Sequence, residues 1–328
     1  MYIIDSPSHD AYFNIALEEY LLYKYPTEDI FLLYVNDPSI IVGKFQNTLA
    51  EINLNYVESN NIKVVRRMSG GGSVYHDLGN LNFSFHTLLE SNDFMDFSKF
   101  TEPIVTLLNE LEVPAKLEGR NDLLVDGKKF SGNAKLARNG KMIQHGTILF
   151  NSEMNVLGDA LKVNPLKFVD KAVKSNRARV TNLAPYLPEG MITDDLKELL
   201  IEVMLETNED AIIYELTSED KEGVQQLINE KYSTWDWNFG FSPKYNFKNA
   251  KKIPAGFIEV HLDVDRGGII EKAKIFGDFF ASIPIEEFEE MLIGKNHNFN
   301  ELNLFFDTID LTAFFGKVEK EEILDLFK

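Results

Sequence analysis

Residues 66–80 read "RRMSGGGSVYHDLGN", with two fixed positive charges, then three glycines, then an adjacent His-Asp pair. Consecutive glycines permit left-handed backbone and let amide N–H groups approach an anion closely. Arg66 and Arg67 suit the same purpose, because a guanidinium grips a phosphate or carboxylate with two parallel hydrogen bonds. The chemistry this suggests is an anion cradle; the bland alternative is a tight turn with solvated arginines. The run is not a P-loop, since no Gly-Lys-Ser/Thr follows. Nor is it a dinucleotide fingerprint, since the residues after the glycines read as a strand. His76 and Asp77 are neighbours on that strand and point to opposite faces, which excludes a simple His–Asp dyad. No Gly-x-Ser-x-Gly marks a nucleophile, and cysteine is absent, so thiolate and disulfide chemistry are excluded as well. The six histidines (9, 76, 86, 145, 261 and 297) are too scattered for metal-ligand spacing. His261, alternating with Glu259 and Asp263, reads as one polar strand face.

A second cluster, "GRNDLLVDGKKFSGNAKLARNGKMIQHGTILF", spans residues 119–150. Asp126-Gly127 and Asn139-Gly140 supply the positive φ angles of two-residue hairpins. Ser131 follows Lys129 by two and is expected on its face, and the Asn-Gly turn folds "QHGT" back beside them. Lys129, His145 and Thr147 are therefore expected near one pocket. A strand lysine is ordinarily a solvated edge charge; the small residues of "SGNA" would let a substrate lie close. From Gly127 to Asn182 there are eleven basic residues and three acidic ones, inside a chain of net charge −19. Such an island is either a solvated face or a surface that steers anions.

The elements that must position these groups follow from periodicity. Ser8 or Asp10 can cap a helix over residues 11–25, and "IFLLYV" and "SIIVGKF" read as strands. A helix is expected around 49–59, then the strand "IKVVRRM". "SVYHD" and "LNFSFHTL" alternate like paired strands. Helices are expected at 97–113, from "ITDDLKELLIEVMLE" and from "EGVQQLINEKY", with an all-β stretch from Ala115 to Asn151. "WDWNFGFSPKYNFKNAKKIP" shows neither period and reads as a seam. Beyond it lie a hairpin around Arg266-Gly267-Gly268 and two or three acidic helices. The class is α+β, a large mixed or antiparallel-sheet domain over 1–245 with flanking helices and a small α+β domain over 246–328. At 328 residues the chain has room for two cores. The 25 phenylalanines suggest an aromatic core or an apolar ligand channel. The strongly acidic balance argues against nucleic acid. No apolar run approaches the roughly 20 residues of a membrane span, and the start lacks a signal peptide, so a cytoplasmic protein is expected.

Five segments, "RRMSGGGSVYHDLGNLNFSF", "GRNDLLVDGKKFSGNAKL", "HGTILFN", "RARVTNL" and "WNFG", occur in the order seen in lipoate–protein ligases, and together the chain resembles that family. The tail resembles the accessory domain of the bacterial ligases in position and length. The resemblance implies the biotin/lipoyl ligase fold and a two-step reaction, in which lipoate and ATP give lipoyl-AMP and a lysine of an apo lipoyl domain then takes the acyl group. The acceptors implied are the lipoyl domains of 2-oxoacid dehydrogenase E2 subunits and the glycine cleavage H protein. On this pattern Arg67 holds the acyl carboxylate and phosphate region, with Ser69, Gly70 and Gly71 in the same loop. Gly72, Ser73, Val74 and Tyr75 wrap the adenylate. Lys129 is the catalytic pocket lysine, acting electrostatically. His76, Asn80, Asn121, His145 and Thr147 are pocket-wall residues, and Asp122 contacts Mg²⁺. Met68 stands where some relatives have a third arginine, and Asn133 where some have serine.

The resemblance leaves three rivals: a lysine-using octanoyltransferase fed by acyl carrier protein, a biotin ligase, and a non-catalytic lipoate or nucleotide sensor. It also raises two expectations about the molecule at work. The basic island, through Lys171, Lys174 and Arg177, forms part of the docking face for an acidic acceptor, and the seam acts as a hinge.

Overall fold

The computed structural model describes residues 1–46, 48–89, 96–118, 121–161, 180–240, 245–277 and 282–328. Its strands are β1 (Tyr2–Asp5), β2 (Ile30–Val35), β3 (Ser39–Val42), β4 (Lys63–Arg66), β5 (Val74–His76), β6 (Asn80–Leu88), β7 (Ala115–Glu118), β8 (Asp122–Val125), β9 (Lys128–Arg138), β10 (Lys141–Leu149), β11 (Ile212–Ile213), β12 (Tyr245–Ile253), β13 (Gly256–Val264) and β14 (Ile270–Gly277). Eight of them form a mixed sheet in the order β11-β1-β2-β6-β10-β9-β8-β7. Pairing is parallel at β11-β1-β2 and antiparallel from β2 onward. The apolar run of β2 is buried throughout, as a strand with both faces covered requires. Phe31, Phe83 and Phe85 of this sheet share a core with Phe100 and Leu108 of helix Ser98–Glu110 and Leu196 and Leu200 of helix Thr193–Thr207. Helix Ala11–Lys24 starts at Asp10, whose carboxylate accepts the Tyr12 N–H, so that of the two caps the sequence offered, Ser8 and Asp10, the second is used.

A small sheet, β4-β3-β5, holds both ends of the glycine loop. β5 pairs with β3, not with β6 as the local alternation suggested. The turn between β5 and β6 is pinned by Asp77, whose carboxylate accepts the N–H groups of Gly79 and Glu153. That anchoring directs β5 and β6 into different sheets. The expected helix at 49–59 is two short helices, Thr48–Glu51 and Leu54–Ser59.

The chain divides into two compact units, Met1–Lys44 with Tyr56–Thr234, and Phe45–Asn55 with Trp235–Lys328. In the second, β12-β13-β14 packs with four short helices around Phe288, which is ringed by Phe306, Phe314, Phe315 and Phe327. Part of the apparent seam is strand β12: it pairs with β13 on one side only, and its Lys and Asn residues suit an edge strand, where charge discourages further pairing. Segment Phe45–Asn55 is tied into this unit by the Thr48 hydroxyl, which donates to the Asn238 carbonyl at 2.6 Å. Both units are α+β, the class expected. Among the described residues no helix is long and apolar enough to cross a membrane.

Candidate functional site

The glycine loop is wound around an arginine. Arg67 is 6% exposed and directs four N–H groups at protein oxygens: Nε at Ser69 Oγ (3.0 Å), Nη1 at the Ile41 carbonyl (3.1 Å), and Nη2 at the Gly70 and Gly72 carbonyls (2.7 and 2.9 Å). Gly71 takes φ +96°, and a Cβ there would lie 2.9 Å from Arg67 Nη2, so both its conformation and its contact require glycine. Arg66 is fully buried and donates to the Gly43 and Lys44 carbonyls. Burial lowers both guanidinium groups to about 10, which leaves them charged at neutral pH. Arg67 shapes the glycine loop from within, while Arg66 holds the end of β3 beside it.

A polar chain runs from this loop into the first helix. Ser69 Oγ lies 2.5 Å from His145 Nε2, His145 Nδ1 is 2.8 Å from Glu18 Oε2, and the Tyr34 hydroxyl donates to Glu18 Oε1 at 3.1 Å. The order Ser–His–Glu is that of a hydrolase triad, but Ser69 is 1% exposed and already accepts from Arg67. The chain is a strut joining helix, strand β10 and loop. Burial alone would raise the Glu18 carboxyl; the His145 imidazole beside it, His86 and the Tyr34 hydroxyl together outweigh this and hold it below its ordinary value.

Lys129 stands on β9 with Nζ 2.7 Å from Asp122 Oδ1, each side chain 38% exposed. Ser131 does not share its face. A bulge shifts the β8–β9 register, so that Leu124 opposes Lys129 while Leu123 opposes Ser131. Gly132 takes the place beside the lysine, and a Cβ on it would meet Lys129 Nζ at 2.9 Å. On β10, Gly146 lies so close to its neighbours that a Cβ would meet Asn133 Oδ1 and Phe83 Cζ at 2.5 Å.

These parts enclose one cavity. Gly71, Gly72, Ser73 and Val74 line it from the loop, His76 from β5, Lys129 from β9, His145 and Thr147 from β10, together with Arg67 and Asn121. Of the remaining expected residues, Ser69 and Gly70 brace the loop through Arg67. Tyr75 points to the other side of β5 from His76 and is buried, and burial raises its phenol to about 12. Asn80 donates to Asn82, which is the residue that lines the cavity. Asp122 stands behind Lys129, and among the described residues no group of three His, Cys, Asp or Glu could hold a metal ion.

Sequence reasoning missed Glu18, Tyr34 and Asn82, and also the apolar wall of Ile15 and Ile41. Gly146, in the quoted "QHGT", was the one visible signal of close packing there. The basic island is not one face: Lys135 and Lys141 are buried and donate to backbone carbonyls of Asp96, Tyr25 and Glu28. Lys171, Lys174 and Arg177 lie outside the described residues.

Residues 10–205 match the family model described as the lipoyl protein ligase A/B catalytic domain. The chain belongs to the lipoate–protein ligase family. A second family model, the bacterial lipoate protein ligase C-terminus, matches residues 242–327. The chain is 45% identical over 330 residues to lipoate-protein ligase LplJ of Bacillus subtilis, covering 99% of each. Among solved ligase structures it is similar to a bipartite lipoate protein ligase from Thermoplasma acidophilum, described with its E2 lipoyl domain. That match has TM-score 0.64 and 31% identity, and covers 74% of this chain and 97% of the other. A lipoate-protein ligase A bound with ATP matches with TM-score 0.60 and 28% identity, over 73% of this chain and 98% of the other.

Proposed function

We propose that the chain is an ATP-dependent lipoate–protein ligase that activates free lipoate as lipoyl-AMP and transfers the acyl group to a lysine of an apo lipoyl domain. The observation that carries this reading is the meeting of the glycine loop, Gly71–Val74, with Lys129 around one cavity. In the first step a carboxylate oxygen attacks the α-phosphorus and pyrophosphate leaves. In the second the acceptor amine attacks the acyl carbonyl and AMP leaves. Both steps gather negative charge on oxygen, and a positioned cation with fixed N–H donors lowers that cost. Lys129 supplies the cation, and the loop amides from Gly72 to Tyr75 would supply the donors.

Arg67 contributes indirectly, by holding the Gly70 and Gly72 carbonyls so that the loop keeps its curvature. Ile15, Ile41, Val74 and Ala134 offer an apolar wall for the acyl chain, which fits octanoate as well as lipoate. A single carboxylate, Asp122, suits Mg²⁺ only in company with phosphate oxygens. Bound in that way, the ion would neutralise triphosphate charge. The acceptors are read as E2 lipoyl domains and the glycine cleavage H protein, and the setting as cytoplasmic.

The test is incubation of the purified chain with lipoate, MgATP and an apo lipoyl domain, followed by mass spectrometry of the acceptor. The expected result is an acyl mass gain that requires ATP. Gain from an acyl carrier protein donor without ATP, or no gain at all, would overturn the reading.

A further inference from the structure

His76 is built into the cavity wall with one nitrogen committed and the other left over. Its ring is 3% exposed, and Nε2 has no hydrogen-bond partner among the described residues. Which nitrogen carries the proton follows from the amides behind it. Asn14 Nδ2 faces the Ser8 carbonyl at 2.8 Å and so must be the amide nitrogen, because a carbonyl only accepts. The same NH₂ group donates to Asn36 Oδ1 at 2.8 Å, which turns Asn36 Nδ2 toward His76 Nδ1 at 2.9 Å. An amide NH₂ has no lone pair to offer, so Nδ1 is the bare nitrogen and the proton sits on Nε2.

We propose that His76 is a substrate-binding residue whose uncharged Nε2–H donates a hydrogen bond to an oxygen of the bound acyl-adenylate, either on the acyl carboxyl or on the phosphate. This rests on the ligase reading and adds an atom-level role to it. Burial, with Arg67 and His145 nearby, pushes the imidazole down to about 3, so the donor stays neutral throughout the working pH range. A neutral donor has a specific use beside Lys129: it orients an oxygen without adding a second charge that would hold the product. The Ser8–Asn14–Asn36 relay fixes the tautomer before ligand arrives, and Arg67, whose N–H groups are largely taken by the loop, cannot replace it.

The test uses the full chain labelled with ¹⁵N-histidine, after its adenylate formation from lipoate and ATP has been verified. Long-range ¹H–¹⁵N spectra, assigned with His76→Gln, are expected to show the Nε2–H tautomer at pH 7. The signal should move when lipoate or AMP is added singly, and which of the two moves it identifies the acyl or the phosphate oxygen as acceptor. His76→Leu should raise the KM for that ligand roughly tenfold to a hundredfold, and His76→Gln, which keeps an N–H, should recover part of the loss. An Nδ1–H tautomer, an imidazolium, or a signal indifferent to both ligands would overturn the assignment while leaving the ligase activity intact.

Discussion

Lys129 and Asp122 form a half-exposed ion pair, and such pairs contribute little to stability. Lys129→Ala is therefore expected to cut both adenylate formation and acyl transfer by at least about a hundredfold, the scale of a lost electrostatic stabiliser. Its melting temperature should stay near that of the wild type; unchanged rates would remove the lysine from the mechanism. Gly132→Ala tests the same point from outside the lysine, since the new methyl would push Nζ from its seat. The expected outcome is a loss of kcat/KM of about tenfold with a stability change under about 1 kcal/mol, because the displaced group is a flexible chain end. Glu18 makes a pH prediction. Its carboxyl is held below the ordinary 4.5, so its charge contributes stability in full above that pH, and the contribution is lost as pH falls through the lower folded value. In denaturant titrations the gap between wild type and Glu18→Gln should be constant near neutrality and narrow below 4.5. A gap unchanged down to about pH 3 would contradict the assignment. Lys129 was legible because its chemistry is local to a lysine among small residues. Glu18 was not, because the fact that matters is a partner 127 residues away.

Hairpins were readable where the backbone itself dictates the residue. Asp126-Gly127 and Asn139-Gly140 all take positive φ, between 50° and 75°, as their types foretold. Gly140 has open space where a Cβ would go, so Gly140→Ala is expected to cost only the left-handed penalty of about 1 kcal/mol. Chemical denaturation measures this, and a cost above about 3 kcal/mol would mean that the turn packs against something else. What periodicity could not show was register. The bulge in β9 leaves Phe130 and Ser131 both buried, which breaks the alternation that paired Lys129 with Ser131. The choice of β3 over β6 as partner of β5 is likewise set by contacts distant in sequence. β12 was passed over because its lysines and asparagines satisfy an edge, a setting whose composition is that of a loop.

At the scale of the molecule, the second unit has its own aromatic centre and both of the chain's tryptophans, Trp235 and Trp237. Tryptophan fluorescence therefore reports that unit's unfolding. Phe288 is fully buried, and Phe288→Ala is expected to lower the unit's stability by about 3–5 kcal/mol. An unshifted fluorescence transition would show that the unit does not depend on this centre. The existence of a second core was readable from chain length and the hairpin near Arg266, but the membership of Phe45–Asn55 was not. Those eleven residues are separated from the rest of their unit by Tyr56–Thr234, the larger part of the first one, so the polypeptide passes between the two at 44/45, 55/56 and 234/235. A gene cut after codon 234 would not yield two self-sufficient fragments: the upstream product would carry an excursion whose folding information was translated elsewhere. Exchanging tails between relatives meets the same obstacle, and a workable chimera has to move the excursion and the tail as a pair.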